Sequence, residues 1–173
     1  MKSAKKILAL ILAGVMALAL LTGCGKAASL NRTIAEGLAE YTKLTLAQAG
    51  NDKNISVSYQ VPELGRNIAP LFDENWITKD NSGKDALTEA AKKTLANILS
   101  PYMSDSSVVF LATDITDVKN PVLEVLNLNY SDIAFRSTIS DPSQLTSITS
   151  MKIEVTHKTV NGRTYALAVM IGK

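Results

Sequence analysis

The chain has 173 residues, with 18 basic and 16 acidic side chains, one histidine and one cysteine. That length suits a single domain whose core needs no covalent staples. One Cys and one His exclude a disulfide framework, a Cys/His zinc cluster and a Cys-x-x-Cys redox pair, and the near-balanced charge leaves no basic field for nucleic acid.

The first segment reads as a targeting signal. Lys2, Lys5 and Lys6 form a basic stretch, followed by an uncharged run from Ile7 to Gly23. The apolar part, Ile7 to Leu20, is short for a membrane span, which needs about 20 apolar residues, but suits a secretory h-region. Leu21-Thr22-Gly23-Cys24 then resembles the lipobox of bacterial lipoproteins. The resemblance covers residues 1–24. It implies acylation of the Cys24 thiol, cleavage between Gly23 and Cys24, and a lipid-anchored protein on the extracytoplasmic face of the cell membrane. Two or more acyl chains give stable anchoring, at about 0.8 kcal/mol per buried CH₂. Cleavage would leave 150 residues carrying 15 basic and 16 acidic side chains. The expected organisation is a signal peptide over 1–23, lipidated Cys24 with a short tether over 24–29, and one domain over 30–173.

Leu30, Ile34, Leu38, Tyr41 and Thr45 recur at helical spacing. Thr33-Ile34-Ala35-Glu36 has the form of a capping box, with Ser29 as an alternative start, and Gly50 as the stop. Ile55, Val57, Tyr59 and Val61 alternate with polar residues, the pattern of a half-buried strand ended by Pro62. Leu64, Ile68, Leu71 and Phe72 are helically spaced but interrupted by Pro70, which predicts a short helix or turn, a break, and Trp76 as a packing anchor. Ser82-Gly83-Lys84-Asp85 again has capping-box form, and Leu87, Ala91, Leu95 and Ile98 mark a helical face that Pro101 should end.

Val108 to Ala112 suits a strand buried on both faces. Pro121 to Tyr130 fits either a helix opened by Asn120-Pro121 or an alternating strand. Ile133, Phe135, Ser137 and Ile139 suggest another strand, and Asp141-Pro142-Ser143 a turn. The clearest local signal is Asn161-Gly162 between two alternating runs, which predicts a type I′ hairpin. That register sets Val155 opposite Ala168 and Lys158 opposite Tyr165. Tyr165 to Ile171 is apolar on both faces, so it should lie centrally with its partner nearer an edge. The fold class expected is α+β: a small antiparallel sheet with a C-terminal β-hairpin, packed by two or three helices in a layer sandwich.

Chemistry is sparse. His157, the only histidine, shares a strand face with Val155 and Ile153 and reads as a packed or edge residue. Thr78 to Glu89 has calcium-loop spacing about Gly83, yet Thr78 stands where the first acid belongs and Asp85 where an apolar residue belongs; a helix N-terminus explains these residues better. His157-Lys158-Thr159 and Ser131-Asp132 match only fragments of serine β-lactamase motifs, with Val160 in place of a glycine. Tyr59, Phe72 and Trp76 are candidates to line a ligand groove, with the core as their alternative place. Asn97-Ile98-Leu99 and Asn161-Gly162-Arg163-Thr164-Tyr165 resemble segments of the CAP (cysteine-rich secretory protein-like) domains. The His and Glu residues typical of that family's cleft are not evident, so the resemblance assigns no site.

The functional expectation is a membrane-anchored binding or accessory module of the cell envelope, with a small ligand or an envelope protein as partner and no cofactor, metal or nucleic acid. The alternatives are a cell-wall- or peptide-directed hydrolase using Asp73, Glu74 or Asp80 near Trp76, and a partner that pairs through an exposed strand edge, Met151 to Thr159.

Overall fold

Tyr165 to Ile171 is an unbroken apolar run, and such a strand is stable only where both faces are covered. The computed structural model, which describes residues 26–127, 133–137 and 143–173, places this run at the centre of a five-stranded sheet. The elements in chain order are α1 (Lys26–Gln48), β1 (Ser56–Ser58), a π turn (Leu64–Ile68), a 3₁₀ turn (Glu74–Trp76), β2 (Ile77–Lys79) and β3 (Asp85–Leu87). Then come α2 (Glu89–Met103), β4 (Ser107–Asp114), α3 (Pro121–Leu126), β5 (Ile133–Arg136), α4 (Ser143–Ser147), β6 (Ser150–Val160) and β7 (Arg163–Gly172). The sheet order is β1-β6-β7-β4-β5, and β2-β3 is a separate hairpin. The class is α+β.

The β6–β7 hairpin has the register that Asn161-Gly162 implies: Val155 faces Ala168 and Lys158 faces Tyr165. Asn161 and Gly162 have φ of 49° and 77°, the left-handed pair a type I′ turn requires. The sheet is mixed rather than wholly antiparallel, because β1 pairs with β6 in parallel. The reason is positional. Helix α1 ends at the same end of the sheet at which β6 begins, so the chain enters β1 and β6 in the same direction. Gly50, at φ 94°, makes the turn out of the helix.

Two cores lie on opposite faces of the sheet. On one, α1 presents Ile34, Ala35, Leu38 and Ala39 to Ile153, Val155, Ala166 and Ala168. On the other, the π turn, the 3₁₀ turn and α2 bring Leu64, Ile68, Phe72, Trp76 and Leu95 against Phe110, Tyr165, Leu167 and Val169. β7 thus alternates alanine toward α1 with large side chains toward α2. Small residues on both sides of the first interface let helix and strand backbones approach closely.

Several boundaries differ from the sequence expectation. α1 already runs at Lys26, so Thr33 is a buried interior residue and not a cap, and Lys26 to Ser29, read as tether, is helical. Ser82 does not open a helix. Asp85 to Leu87 pair with β2, and Thr88 caps α2 by accepting from the Ala91 N–H at 3.2 Å. Asp80-Asn81-Ser82-Gly83 serves as the hairpin turn instead, with the Asp80 carboxylate accepting from the Ser82 and Lys84 N–H groups. Pro101 does not end α2, which continues to Met103. The proline cannot donate to the Asn97 carbonyl, and Ser100 Oγ donates to it at 2.9 Å in its place. Pro121 to Leu126 is helical, with Asn120 accepting from the Leu123 N–H. The expectations at Leu128 to Tyr130, Ile139 and Asp141-Pro142 lie outside the described residues.

The alanine interface makes a direct prediction. Ala168→Leu should force α1 off the sheet and cost about 1–3 kcal/mol. At roughly 2–4 °C per kcal/mol for a domain near this size, Tm should fall by roughly 2–12 °C. A thermal melt of the full chain checks it; an unchanged Tm would mean that α1 has room to spare.

Candidate functional site

Tyr59, Phe72 and Trp76 do not form one groove. Phe72 and Trp76 stack edge to face, ring centroids 5.8 Å apart, inside the α2-side core with Phe110 and Tyr165. Tyr59 lies on the opposite, α1 side of the sheet, half-buried beneath the Arg32 guanidinium at 3.6 Å. The sheet itself separates them. The carboxylates near Trp76 serve local ends: Asp73 caps the 3₁₀ turn through the Asn75 N–H, Glu74 accepts from the Asn161 side-chain amide, and Asp80 closes its own hairpin. The calcium-loop segment is therefore the β2–β3 hairpin, with Glu89 paired to Lys92. Among the described residues no group of three or more His, Cys, Asp and Glu is placed to hold a metal ion.

The β6 edge is partly shielded. β1 covers Ser150 to Lys152, and the chain beyond it continues alongside, with the Val61 N–H donating to the Glu154 carboxylate. His157 is half-buried: both ring nitrogens are covered without a hydrogen-bond partner, and burial holds its pKa below the usual histidine value.

At the hairpin end a charged cluster fastens the β2–β3 hairpin to the sheet. Arg163 Nε donates to Asp114 at 2.7 Å, its terminal nitrogens reach Asp85 at 3.1 Å, and Lys79 pairs with Asp85 at 2.7 Å. Burial pushes Asp85 up, but its hydrogen bonds to Lys79 and Arg163 outweigh this and hold it below the usual carboxylate range. With each acid already neutralised, the cluster is a clip and not a catalytic pair.

The other end of the sheet carries a cleft. Its apolar compartment, about 90 Å³, is lined by Thr42 and Leu46 of α1, Val109, Leu145, Met151 and Met170. It adjoins a larger compartment of about 260 Å³ with a mixed polar and apolar lining, bordered by Asp105, Ser106, Ser147 and Lys173. Ser107, Ile148 and Gly172 border both. A Cβ on Gly172 would stand 3.1 Å from Ile148 Cδ1, so glycine lets that side chain settle on the strand end. At the mouth, the Lys173 ammonium pairs with the Asp105 carboxylate.

Asn51 holds the roof of this cleft. Its side-chain amide donates to the Leu145 and Ile148 carbonyls, each at 2.9 Å, and its oxygen accepts from the Lys53 N–H. The residue is buried, although its run Asn51-Asp52-Lys53-Asn54 reads as a solvated loop. None of the cleft residues stands out in the sequence, because the lining comes from four separate stretches, 42–46, 105–109, 145–151 and 170–173. Nothing short of the fold brings them together.

No family model, no curated protein and no solved structure matches the chain. No helix among the described residues is long and apolar enough to cross a membrane.

His157 makes stability depend on pH. Its pKa is lowered on folding, so the folded state favours the neutral ring. The stabilisation is complete above the unfolded value of 6.5 and is lost as pH falls below it. The paired carboxylates Asp85 and Asp114 have lowered pKa values and act only below their ordinary 3.8, in a separate window. Denaturant titrations between pH 7.5 and 5.5 (chosen to bracket the first window) should show wild-type stability falling with acid, by less than about 1.4 kcal/mol per pH unit. His157→Leu should be flat. Equal slopes would place the sensitivity elsewhere.

Proposed function

We propose that the protein is a lipoprotein held at the extracytoplasmic face of the cell membrane by acylated Cys24. There it works as a non-enzymatic binding module of the envelope, its cleft turned away from the bilayer. The observation that carries this reading is the way the lipobox joins the fold. Cys24 precedes the first described residue of α1 by two positions, and α1 then leads directly to the cleft. Thr42 and Leu46 line the apolar compartment, while Lys26 lies about 24 Å earlier along the helix, at about 1.5 Å per residue. That distance matches the rise of β6 from Ile153 toward the Asn161-Gly162 turn, at about 3.3 Å per residue. In this proposal the anchor lies toward the hairpin end and the cleft opens at the far end.

A binder suits the chemistry better than a hydrolase. The acids at Trp76 and at Arg163 are committed to local partners, and His157 has none. The cleft, by contrast, has the make-up of a recognition site: an apolar floor with a few polar groups at the mouth.

The anchor is tested by Cys24→Ala in the producing cell. Wild type should sediment with membranes and carry the mass of its acyl chains, and the variant should lose that mass and leave the membrane fraction. A variant that keeps both its mass and its membrane association contradicts the reading.

A further inference from the structure

The cleft has two unlike halves, and their contents specify a ligand more narrowly than "small molecule". The inference rests on the cleft being the recognition site. Met151, Met170, Leu46 and Leu145 leave an apolar space of about 90 Å³. An engineered apolar cavity of about 150 Å³ takes benzene, so this space suits a smaller, aliphatic side chain. A space so lined gives water few partners, and filling it with hydrocarbon is favourable.

Two side chains of opposite charge, Lys173 and Asp105, border the larger compartment. Lys173 is fixed there by its backbone: its N–H donates to the Ser150 carbonyl and its carbonyl accepts from Thr149 and Ser150. Asp105 stands just beyond the end of α2, with Ser106 Oγ donating to it at 2.9 Å. The two side chains pair with each other, yet they are 66% and 51% exposed. An ion pair so open to water contributes little and is opened cheaply. A ligand bearing only a carboxylate would take Lys173 and leave Asp105 without its partner; an amine alone would do the reverse. A zwitterion offers a new partner to both halves at once, its carboxylate to Lys173 and its ammonium to Asp105.

We propose that the cleft binds a free aliphatic α-amino acid, its side chain in the apolar compartment, its ammonium on Asp105 and its carboxylate on Lys173. The shape also sets an upper limit on size. Ile148 packs over Gly172 where the two halves meet, and the small apolar volume favours an aliphatic over an aromatic side chain.

The test is titration calorimetry of the full acylated chain in detergent micelles. The probes are L-leucine, glycine, leucinamide and 4-methylpentanoate. Leucine should bind, and glycine, which lacks the side chain, should bind about 10–100-fold more weakly. Leucinamide and 4-methylpentanoate, each missing one charge, should bind at least about tenfold more weakly. Asp105→Asn should erase the preference for leucine over 4-methylpentanoate, and Lys173→Met the preference over leucinamide. Both residues are exposed, so neither variant should endanger folding. Absence of leucine binding at millimolar concentration, or leucine binding unchanged in both variants, overturns the proposal. Equal binding of leucine and 4-methylpentanoate also overturns it, while leaving the cleft as a recognition site and the Cys24 anchor untouched.

Discussion

The close seating of α1 on the sheet is the constraint on which the rest depends. It rests on four alanines: Ala35 and Ala39 on the helix, Ala166 and Ala168 on β7, all at or below 2% exposure. Small side chains allow the backbones to approach, and Ile34, Leu38, Ile153 and Val155 then fill the flanks. The same alternation along β7 turns its large residues, Tyr165, Leu167, Val169 and Ile171, toward the second core. One strand thereby supplies the thin side of one interface and the thick side of the other. Dispersion and area burial work only where the surfaces mate, and here a single alternating strand makes both fit.

The direction of α1 follows from this seating, and the cleft follows from the direction. The helix passes along β6 and ends above the strand ends at Met151 and Met170, where α4 folds over it. Asn51 bonds that short helix to the end of α1 through two carbonyls. A buried amide in this position is costly to lose, because its partners would be left unsatisfied in a low-dielectric setting. The roof of the cleft is therefore held by one side chain that closes three hydrogen bonds. The hairpin end is held in a different way, by the Arg163 clip between Asp85 and Asp114. One end of the molecule is stapled by charge, and the other leaves space.

Much of this architecture is legible in the sequence where local chemistry permits a single answer. Asn161-Gly162 admits only a turn with two left-handed residues, and that fixes the pairing of every residue from Met151 to Gly172. The doubly apolar Val108 to Ala112 and Tyr165 to Ile171 can only be inner strands. Legibility fails where one motif serves two structures. Asp80-Asn81-Ser82-Gly83 suits a helix N-terminus and a hairpin turn equally, and the β2–β3 pairing, supported by Thr88 bonding to Asn75 and Trp76, decides for the hairpin. Pro101 is misleading because a neighbouring serine takes over the lost hydrogen bond. Trp76 is readable as an anchor, but which core it anchors is set by the sheet. The cleft is illegible for a plainer reason: Leu46, Asp105, Leu145 and Lys173 share no local pattern, and their meeting is a product of topology.

The functional account has the same geometry at its base. In the proposed reading, an anchor ahead of α1, a helix about 34 Å long at 1.5 Å per residue, and a two-part cleft at its far end would make a module that holds its recognition surface off the bilayer. The arrangement can be measured directly. Cys24 is the only cysteine and is consumed by acylation in this account, so a second cysteine can be spin-labelled uniquely. Labels at Thr159→Cys, near the hairpin, and Ser104→Cys, near the cleft, can be compared in nanodiscs doped with a paramagnetic lipid headgroup. The account predicts strong relaxation at position 159 and little at 104. Equal relaxation at the two sites, or the reverse order, would contradict it.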